Sequence, residues 1–366
     1  MKLTAALVGC GRVASLLEDD SLRSKPATHL GALEKLADTV ELVALCDIDP
    51  ERLEQAGNRW NVKNLFQDYR AMIKKHRPDL LIIASWTATH HQIAVFAANH
   101  GVRGLLIEKP LALNLRQADK IISTCRRRQV KTVVNHERRW DPLYHKAREI
   151  IVDKSLGELR TVYAMVFSNS FIRGPWPEVI REHGGGPLLH DGTHLIDMIR
   201  FLAGEISLLS GRAVVDLPGC GSETRAWAWL ETRQGVPVLL EAGGRRDYFH
   251  FEIDLHFSSG RIRIGNGIRD FQISSESTRY QGFQDLASSP FPQVTDKTRP
   301  FTGALAELCT AVTENREAIS SALDGRRALE IIMAIYHSAA RKGKPLKMPF
   351  RSRGNPLRRF MSRFGS

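Results

Sequence analysis

A glycine-rich turn directly after the first apolar run constrains this chain more than any other feature. The run Leu3–Val8 has the length and aliphatic composition of a buried strand, and Gly9-Cys10-Gly11-Arg12-Val13-Ala14 follows it. In this GxGxxA pattern the first glycine permits a tight turn, the second lets the backbone approach a pyrophosphate, and the small third residue allows close helix–strand packing. We therefore predict a dinucleotide-binding turn that leads into a helix, whose first amides face the phosphates. The residues expected to hold the phosphates are Gly9, Gly11, Arg12 and Val13.

Short apolar runs alternate with helix-like stretches over residues 1–134. Such alternation is typical of parallel strands joined by helices, so we predict an α/β domain with helices on both faces of a parallel sheet. The predicted strands are Leu3–Val8, Glu41–Cys46, Leu80–Ala84, Gly104–Ile107 and Lys131–Val134, with a weaker one at Asn64–Phe66. The predicted helices are Pro50–Asn58, Tyr69–His76, Thr89–Asn99 and Leu115–Arg128.

The pattern changes after residue 135, where strand-like runs follow one another with few helices between them. This change favours an α+β domain over residues 135–350, built on a large, mainly antiparallel sheet. With helices mainly on one face, the other face would expose apolar residues such as those in Val236–Leu240, which indicates a homodimer or homotetramer. The predicted strands are Thr161–Phe167, Ser207–Val215, Thr224–Glu231, Val236–Glu241, Phe249–Phe257 and Arg261–Ile264.

The net charge of +12 is concentrated in the C-terminal tail. Residues 341–366 contain nine Lys or Arg and no Asp or Glu, which leaves only +3 for residues 1–340. The body of the protein therefore lacks the charge of a nucleic-acid-binding surface. Within the basic tail, residues 351–366, the segment 356–364 interleaves Arg with apolar residues, a pattern that fits a membrane surface or an acidic partner. We favour the simpler interpretation of a solvated, poorly ordered terminus.

The sequence shows no apolar run near the roughly 18 residues of a membrane helix and no signal-peptide pattern. Its five cysteines lack CxxC or metal-ligand spacing, which is typical of cytosolic thiols rather than of a disulfide framework. We therefore expect a cytoplasmic protein without stable membrane insertion. The cysteines are Cys10, Cys46, Cys125, Cys220 and Cys309.

Asp47 ends the second predicted strand, where a carboxylate can accept hydrogen bonds from ribose hydroxyls and repel a 2′-phosphate. This placement favours NAD over NADP. The alternative is that Asp47 or Asp49 caps the helix that starts at Pro50, and Asp49 is the better candidate for that cap.

The triplet Glu108-Lys109-Pro110 directly follows the strand Gly104–Ile107. Strand ends at this edge of a parallel sheet line the ligand crevice, where a lysine can donate to a substrate hydroxyl or carry a proton. The alternative is a solvated surface pair.

A third motif, Gly184-Gly-Gly-Pro-Leu-Leu-His190-Asp191-Gly-Thr-His194-Leu-Ile-Asp197, has the glycines and first-turn proline of a helix N-terminus. His190 and His194 are four apart and share one helix face, and Asp191 lies three residues before His194. A histidine beside a carboxylate is a plausible general base. Two histidines at this spacing can also bind zinc, but no third ligand is evident, so we expect no metal. Buried structural histidines are the remaining alternative.

In order and spacing, these motifs make the chain resemble the Gfo/Idh/MocA family of glucose–fructose oxidoreductase and inositol dehydrogenase-like proteins. The resemblance rests on GCGRVA at 9–14, ASWTATHH at 84–91, EKPLALN at 108–114, NHERRWDP at 135–142 and the glycine–histidine motif at 184–197. It implies a Rossmann domain, an open-faced antiparallel sheet domain, and NAD(P)-linked oxidation or reduction of a sugar or polyol carbon. The resemblance places catalysis at Lys109 and His194, and the cofactor along Ser85, Thr87, His90, Glu108 and Lys109.

Two positions depart from the family pattern. An acidic residue often stands four before the histidine, whereas this chain has His190 there and Asp191 one residue later. Since one residue turns a helix by about 100°, Asp191 does not simply replace that carboxylate. Trp86 also stands where a proline is common.

The resemblance implies a dehydrogenase, in which His194 would take the hydroxyl proton and Lys109 would stabilise the developing charge on oxygen. His190 would bind the substrate or tune His194. Four arginines are candidates to hold a phosphate or carboxylate of the substrate: Arg138, Arg139, Arg173 and Arg181; the alternative is ordinary surface charge. Trp176 could stack on a sugar or a base, and the alternative is a buried core tryptophan. Two other functions remain open: an NAD-dependent glycosidase that uses transient oxidation, and a non-catalytic dinucleotide-binding regulator.

Overall fold

The computed structural model describes residues 2–168, 185–216, 221–244, 246–351, 354 and 356–362. The chain divides into two compact units, one formed by Met1–Trp140 with Thr298–Arg327 and the other by Asp141–Lys297 with Ala328–Ser366. The predicted domains, 1–134 and 135–350, are continuous in sequence, whereas each of these units is assembled from two segments.

The first unit contains a six-stranded parallel sheet in the order β3-β2-β1-β4-β5-β6. Its strands are β1 Leu3–Val8, β2 Val40–Cys46, β3 Leu65–Phe66, β4 Leu80–Ile83, β5 Gly104–Ile107 and β6 Lys131–Val134. Because β2 and β4 flank β1, the strand order reverses at β1, which is where doubly wound sheets open a ligand crevice. The turns after β1, β2, β4 and β5 all start at this carboxyl edge, as the sequence predicts.

Helices α1 to α5 connect these strands, and polar side chains cap most of their N-termini. They span α1 His29–Lys35, α2 Pro50–Arg59, α3 Tyr69–His76, α4 Thr87–Asn99 and α5 Leu115–Arg127. Short 3₁₀ helices occur at Leu16–Asp19 and Glu137–Trp140. The predicted cap of α2 is confirmed, since Asp49 accepts hydrogen bonds from the amides of Glu51 and Arg52 at 3.1 Å.

The helix expected directly after the glycine turn begins later than predicted. Residues 11–15 form turns, and α1 starts only after Thr28, whose hydroxyl caps the Gly31 amide at 3.1 Å. The Glu18 carboxylate accepts the Ala27 amide at 3.0 Å and the Thr28 hydroxyl at 2.7 Å. These bonds anchor the end of the intervening loop, so the side-chain cap decides where the helix starts.

Helix α9, which spans Pro300–Thr313, belongs to the first unit although it comes late in the sequence. A Cβ on Gly104 of β5 would lie 2.7 Å from Val312 and 3.1 Å from Leu308, so the helix packs directly on the glycine surface of the strand. This contact explains why residues 298–327 belong to the first unit, although the sequence predicts them in the second domain.

The second unit contains a nine-stranded sheet in the order β14-β13-β12-β11-β7-β10-β9-β8-β15. It is antiparallel except for the parallel pair of β7 and β10, which confirms the mainly antiparallel prediction. The strands are β7 Leu159–Phe167, β8 Ile206–Val214, β9 Arg225–Thr232, β10 Pro237–Gly243, β11 His250–Phe257, β12 Gly260–Gly265, β13 Ile268–Glu276, β14 Gln284–Ser288 and β15 Leu346–Lys347. Helices in the described part of this unit are α6 Pro142–Asp153, α7 Pro187–His190, α8 Gly192–Ala203, the larger part of α10 (Ala322–Ala339) and α11 Pro356–Met361.

One face of this sheet exposes apolar side chains, as expected. Along β10, Val238 and Leu240 are buried while Leu239 is 44% exposed. Leu239 is in register with Tyr163 on one side and Trp229 on the other. We call Tyr163, Leu239 and Trp229 the apolar row; each is 38–44% exposed.

The C-terminal tail is more ordered than the sequence led us to expect. Residues 356–361 form α11, with Leu357 and Phe360 buried and Arg358 and Arg359 exposed. The Phe360 ring lies 5.8 Å from that of Tyr336 on α10. The expectation of a solvated terminus was therefore wrong for this segment, because residues 357 and 360 share a helix face and bury it. Among the residues that the structure describes, no helix is both long and apolar enough to cross a membrane.

Candidate active site

The glycine turn has the geometry that a dinucleotide phosphate requires. Gly9 has φ +96°, and a Cβ there would lie 2.6 Å from the amide nitrogen of Ser85, so only glycine fits. At Gly11 a Cβ would meet no protein atom within 4 Å. Protein packing therefore does not demand a glycine at position 11, and its bare backbone leaves room for a ligand. Arg12 is exposed and Val13 half-buried in the same turn.

Asp47 is buried against the glycine turn. Its Oδ2 accepts the Cys10 amide at 2.7 Å, and its Oδ1 accepts the Asp49 amide at 2.9 Å. A carboxylate offers about four acceptor positions, so two remain after these bonds. The Arg52 guanidinium lies 3.6 Å from Oδ1 and 3.1 Å from the carboxylate of Asp49. Asp47 therefore both orients the turn and keeps acceptor capacity for ribose hydroxyls.

Glu108 lies at the centre of a buried hydrogen-bond cluster that the sequence did not reveal. Its Oε1 lies 2.8 Å from Nε2 of His29 and accepts from the Asn135 amide group at 2.6 Å, while its Oε2 accepts the Lys109 backbone amide at 3.2 Å. Burial by itself would raise the pKa of Glu108, but His29, Lys109 and Asn135 outweigh burial and hold the pKa below its usual value. The cluster stabilises a buried carboxylate directly under the Lys109 backbone.

His90 joins the loop that follows β4 to the loop that follows β5. Its Nε2 lies 2.9 Å from the carbonyl oxygen of Ser85, and its Nδ1 lies 3.1 Å from that of Pro110. Burial lowers the pKa of His90, despite these carbonyl acceptors and the charge of Glu108. His90 is completely buried, so it supports the loops that carry Ser85 and Lys109. Thr87 is also buried, at the first position of α4, whereas Ser85 and Lys109 are half-buried.

The glycine–histidine motif folds as predicted at its start, with Pro187 in the first turn of α7. The chain does not continue as one regular helix, because a turn at Asp191 separates α7 from α8. His190 ends α7, and the His194 amide donates to the Asp191 carbonyl at 3.2 Å. His190 and His194 thus lie on consecutive helical segments, and Asp191 between them keeps helical backbone angles (φ −97°, ψ −38°) with its amide donating to the Pro187 carbonyl at 3.0 Å. Their placement on one helix face stays a prediction.

Three side chains of this segment are more exposed than their neighbours. Over residues 185–200 every residue is buried except His190, Asp191 and His194, which are half-buried. Asp197 is buried and lies 3.6 Å from the Arg200 guanidinium, which also binds Glu205. Among the described residues, no group of three or more His, Cys, Asp or Glu side chains has the arrangement of a metal site.

The predicted phosphate- or carboxylate-binding residues are only partly described. Arg138 is within 3.2 Å of the Glu137 carboxylate. Arg139 is buried, and its guanidinium donates to the Ile319 carbonyl at 2.8 Å and lies 3.8 Å from Asp324. Arg139 therefore packs within the first unit, and its role in substrate binding stays a prediction. Arg173, Trp176 and Arg181 lie outside the described residues.

The reversed strand order, the glycine turn and the buried carboxylate at Asp47 together define a dinucleotide-binding protein of the Rossmann type. The chain belongs to the Gfo/Idh/MocA family. Residues 3–136 match the family model described as an oxidoreductase family with an NAD-binding Rossmann fold. Residues 144–263 match the model of the family's C-terminal domain.

Curated relatives and solved structures agree with this assignment. The chain is 22% identical to D-apiose dehydrogenase from Paraburkholderia graminis, in an alignment that covers 95% of this chain and 90% of that protein. It is 24% identical to inositol 2-dehydrogenase from Rhizobium meliloti, covering 93% and 98% of the two chains. The structure of levoglucosan dehydrogenase in complex with NADH aligns with a TM-score of 0.80 at 18% identity, covering 96% of this chain and 100% of that chain.

Proposed function

We propose that this protein transfers a hydride between NAD and a hydroxyl carbon of a sugar, sugar phosphate, nucleotide sugar or polyol. The observation that carries the proposal is the segment 185–200, which buries every residue except His190, Asp191 and His194. Because the chain belongs to an oxidoreductase family, two partly exposed histidines and a carboxylate on this otherwise buried segment are candidates for proton transfer with a substrate. Half-buried ionisable side chains on a rigid element suit proton transfer.

The glycine turn and Asp47 are the residues that would hold NAD, which supplies the hydride-accepting ring when bound. The turn at Gly9–Gly11 takes the pyrophosphate, and the two remaining acceptor positions of Asp47 take ribose hydroxyls. The Asp47 charge opposes a 2′-phosphate, which supports NAD over NADP. Arg52 partly offsets that charge from 3.6 Å away.

His194 acts as the general base that takes the proton of the substrate hydroxyl, and Lys109 donates a hydrogen bond to the same oxygen. An ammonium group there stabilises the negative charge that develops as the proton leaves. The cluster of Glu108, His29 and Asn135 fixes the backbone from which the lysine side chain extends.

His190 takes the place of the acidic residue that often precedes the family's histidine by four positions. Its role is to hydrogen-bond the substrate or to tune the basicity of His194. Asp191 lies in the turn between α7 and α8, and its carbonyl accepts the His194 amide, so its backbone positions His194. Of His190 and Asp191, we assign the larger contribution to catalysis to the His190 side chain.

A carbohydrate or polyol substrate is supported by the relatives, whose names specify apiose and inositol dehydrogenases. Such substrates offer several hydroxyl carbons of similar chemistry, so the reacting carbon depends on how the sugar is held. Arg138 is the described candidate for a phosphate or carboxylate on the substrate.

A second copy of the chain covers the apolar row, so the protein is a homodimer or homotetramer. Three neighbouring side chains that are each about 40% exposed form a continuous apolar surface on one sheet face. A cytoplasmic location is supported by the buried free thiols of Cys10, Cys46, Cys125 and Cys309. Cys220 lies outside the described residues.

The proposal is tested by incubating the protein with NAD and a panel of free sugars, sugar phosphates, nucleotide sugars, inositols and glycosides. We expect NADH to accumulate with at least one polyhydroxylated substrate. Glycoside cleavage without net NADH, on a cofactor that does not exchange, would favour the glycosidase. Tight NAD binding with no turnover across the panel would favour the regulator.

A further inference from the structure

A second buried carboxyl group, Glu223, lies directly against the start of the segment that carries the two histidines. Its Oε1 accepts the Leu188 backbone amide at 3.0 Å and the Tyr336 hydroxyl at 2.9 Å. The Ser222 hydroxyl donates to its Oε2. Glu223 and Tyr336 are both completely buried. All four residues belong to the second unit.

The bond to Leu188 replaces a cap that the local sequence cannot supply. Gly186 occupies the N-cap of α7 and has no side chain to accept from the first amides of the helix. A Cβ on Gly186 would lie 2.3 Å from the Glu223 carbonyl oxygen and 2.6 Å from its carboxyl carbon. The glycine therefore lets the carboxyl group approach, and a residue 35 positions away caps the helix.

The surroundings of Glu223 favour a hydrogen-bond acceptor rather than a charge. Among the described residues it has three hydrogen-bond donors but no cationic partner. Burial raises the pKa of Glu223, although the donors act in the opposite direction. The useful property at this position is therefore the acceptor oxygen that Leu188 and Tyr336 share.

The contacts continue from Tyr336 to the C-terminal tail. The Tyr336 ring packs against Phe360 of α11, and Phe360 is completely buried. Burial raises the pKa of the Tyr336 hydroxyl well above its usual value, as does the adjacent Glu223, so this hydroxyl stays protonated and donating. A chain of contacts thus runs from α11 through Tyr336 and Glu223 to the first turn of α7.

We propose that Glu223 and Tyr336 are positioning residues for His190 and His194, and that α11 holds Tyr336 in place. This role rests on the proposed function of the two histidines. The hydrogen bond from Leu188 to Glu223 fixes the first turn of α7, and with it the position of His190 at the end of that helix. The basic tail thereby contributes to the site through Phe360, not through its charges.

The test compares E223Q with E223M in the full chain. The two side chains have similar size and neither is charged, but only glutamine keeps an oxygen that accepts from Leu188 and Tyr336. We expect E223Q to retain kcat within about twofold, and E223M to lose roughly 10–100-fold in kcat with little change in NAD affinity. Equal kcat values for E223Q and E223M would overturn the proposal.

A matched pair on α10 separates positioning from general destabilisation. Tyr336→Phe and Ser338→Ala each remove one buried hydroxyl from the same helix, and Ser338 binds Gly211 and Lys344 instead of the α7 region. We expect the tyrosine variant to lower kcat and the serine variant to leave it nearly unchanged. An equal loss of kcat in both variants would show that the loss comes from lower fold stability, and this would contradict the proposal.

Hydrogen exchange of residues 188–194 without substrate tests positioning even if the panel finds no turnover. E223M should speed exchange there at least tenfold relative to E223Q, and Phe360→Ala should act in the same direction but less. Unchanged exchange in all three variants would refute the positioning role. Faster exchange without dehydrogenase activity in the wild type would instead refute the proposed function alone.

Discussion

The pair formed by His29 and Glu108 gives the sharpest test of the site's electrostatics. Both side chains are buried, the His29 ring also packs edge-on against Phe301 at 5.1 Å, and the carboxylate has two further donors, on Asn135 and the Lys109 backbone. Removing one partner of a buried pair typically costs 3–5 kcal/mol. Because two donors remain, we expect about 2–4 kcal/mol for His29→Ala, including the lost ring contact.

The matched change, Glu108→Gln, keeps the shape of the side chain but removes its charge. Hydrogen bonds to a charged group contribute about 1.5–3 kcal/mol against about 0.5–1.5 for neutral ones, and relief from burying the charge offsets part of that loss. We expect about 1–3 kcal/mol for this variant. If the two residues interact as the geometry indicates, the double variant should lose at least about 1 kcal/mol less than the sum of the single variants.

The pH dependence of this difference has a definite sign. The pKa of Glu108 is lowered in the folded protein, so its stabilising contribution is complete above the unfolded pKa of about 4.3 and disappears as the pH falls through the folded value. The stability gap between wild type and Glu108→Gln should therefore shrink as the pH falls below about pH 4.

Urea unfolding measures these free energies, with hydrogen exchange of residues 104–114 identifying the transition of the first unit. Additivity of His29→Ala and Glu108→Gln within about 0.5 kcal/mol would refute the proposed coupling. So would a stability gap that widens at low pH.

Three further predictions concern other parts of the molecule. Asp47→Asn should lower the NAD/NADP ratio of kcat/KM by about tenfold, since it removes the charge that opposes a 2′-phosphate but keeps an acceptor for the Cys10 amide; a wild type that already prefers NADP would contradict this. Leu239→Glu should reduce the mass in light scattering to that of a monomer, whereas Val152→Glu on α6, where Val152 is 73% exposed, should not; two unchanged masses would argue against the apolar row as interface. Burial raises the pKa of Cys10 and of Cys46 to about 12, so iodoacetamide should label neither thiol at mildly alkaline pH until the protein unfolds; rapid native labelling would show that these thiols are accessible.

The sequence predicts those features of the site that depend on local patterns. The glycine turn follows β1 because a buried aliphatic run leads directly into residues that tolerate the required backbone. Asp49 caps α2 because the residue before a first-turn proline is a standard cap position. Pro187 starts α7 because proline is favoured in the first turn of a helix.

Features that depend on distant contacts could not be predicted in this way. His29 lies 79 residues from Glu108, and nothing in its local sequence signals a carboxylate partner. Glu223 lies in a region with ordinary polar residues, and only the folded sheet brings it to Gly186. Asn135 belongs to a motif that carried the family resemblance, but its role follows only from its bond to Glu108.

One error came from applying a general rule about chain termini. We expected a solvated tail because chain termini are usually loose, whereas Phe360 buries its ring against Tyr336. In the tail, Leu357 and Phe360 are buried while Arg358 and Arg359 stay exposed, so α11 packs without removing these arginines from water.

The most direct test of the account is the rate of NADH formation by His194→Asn, measured together with its NAD affinity once the panel has supplied a substrate. General-base assistance is typically worth about 10²–10⁴-fold, so we expect kcat to fall by that factor while the dissociation constant for NAD stays within about twofold. The exposed His100, which directly follows α4, provides a control, and His100→Asn should leave both quantities unchanged. A His194→Asn variant with wild-type kcat would contradict the assignment of His194 as the base and, with it, the proposed mechanism.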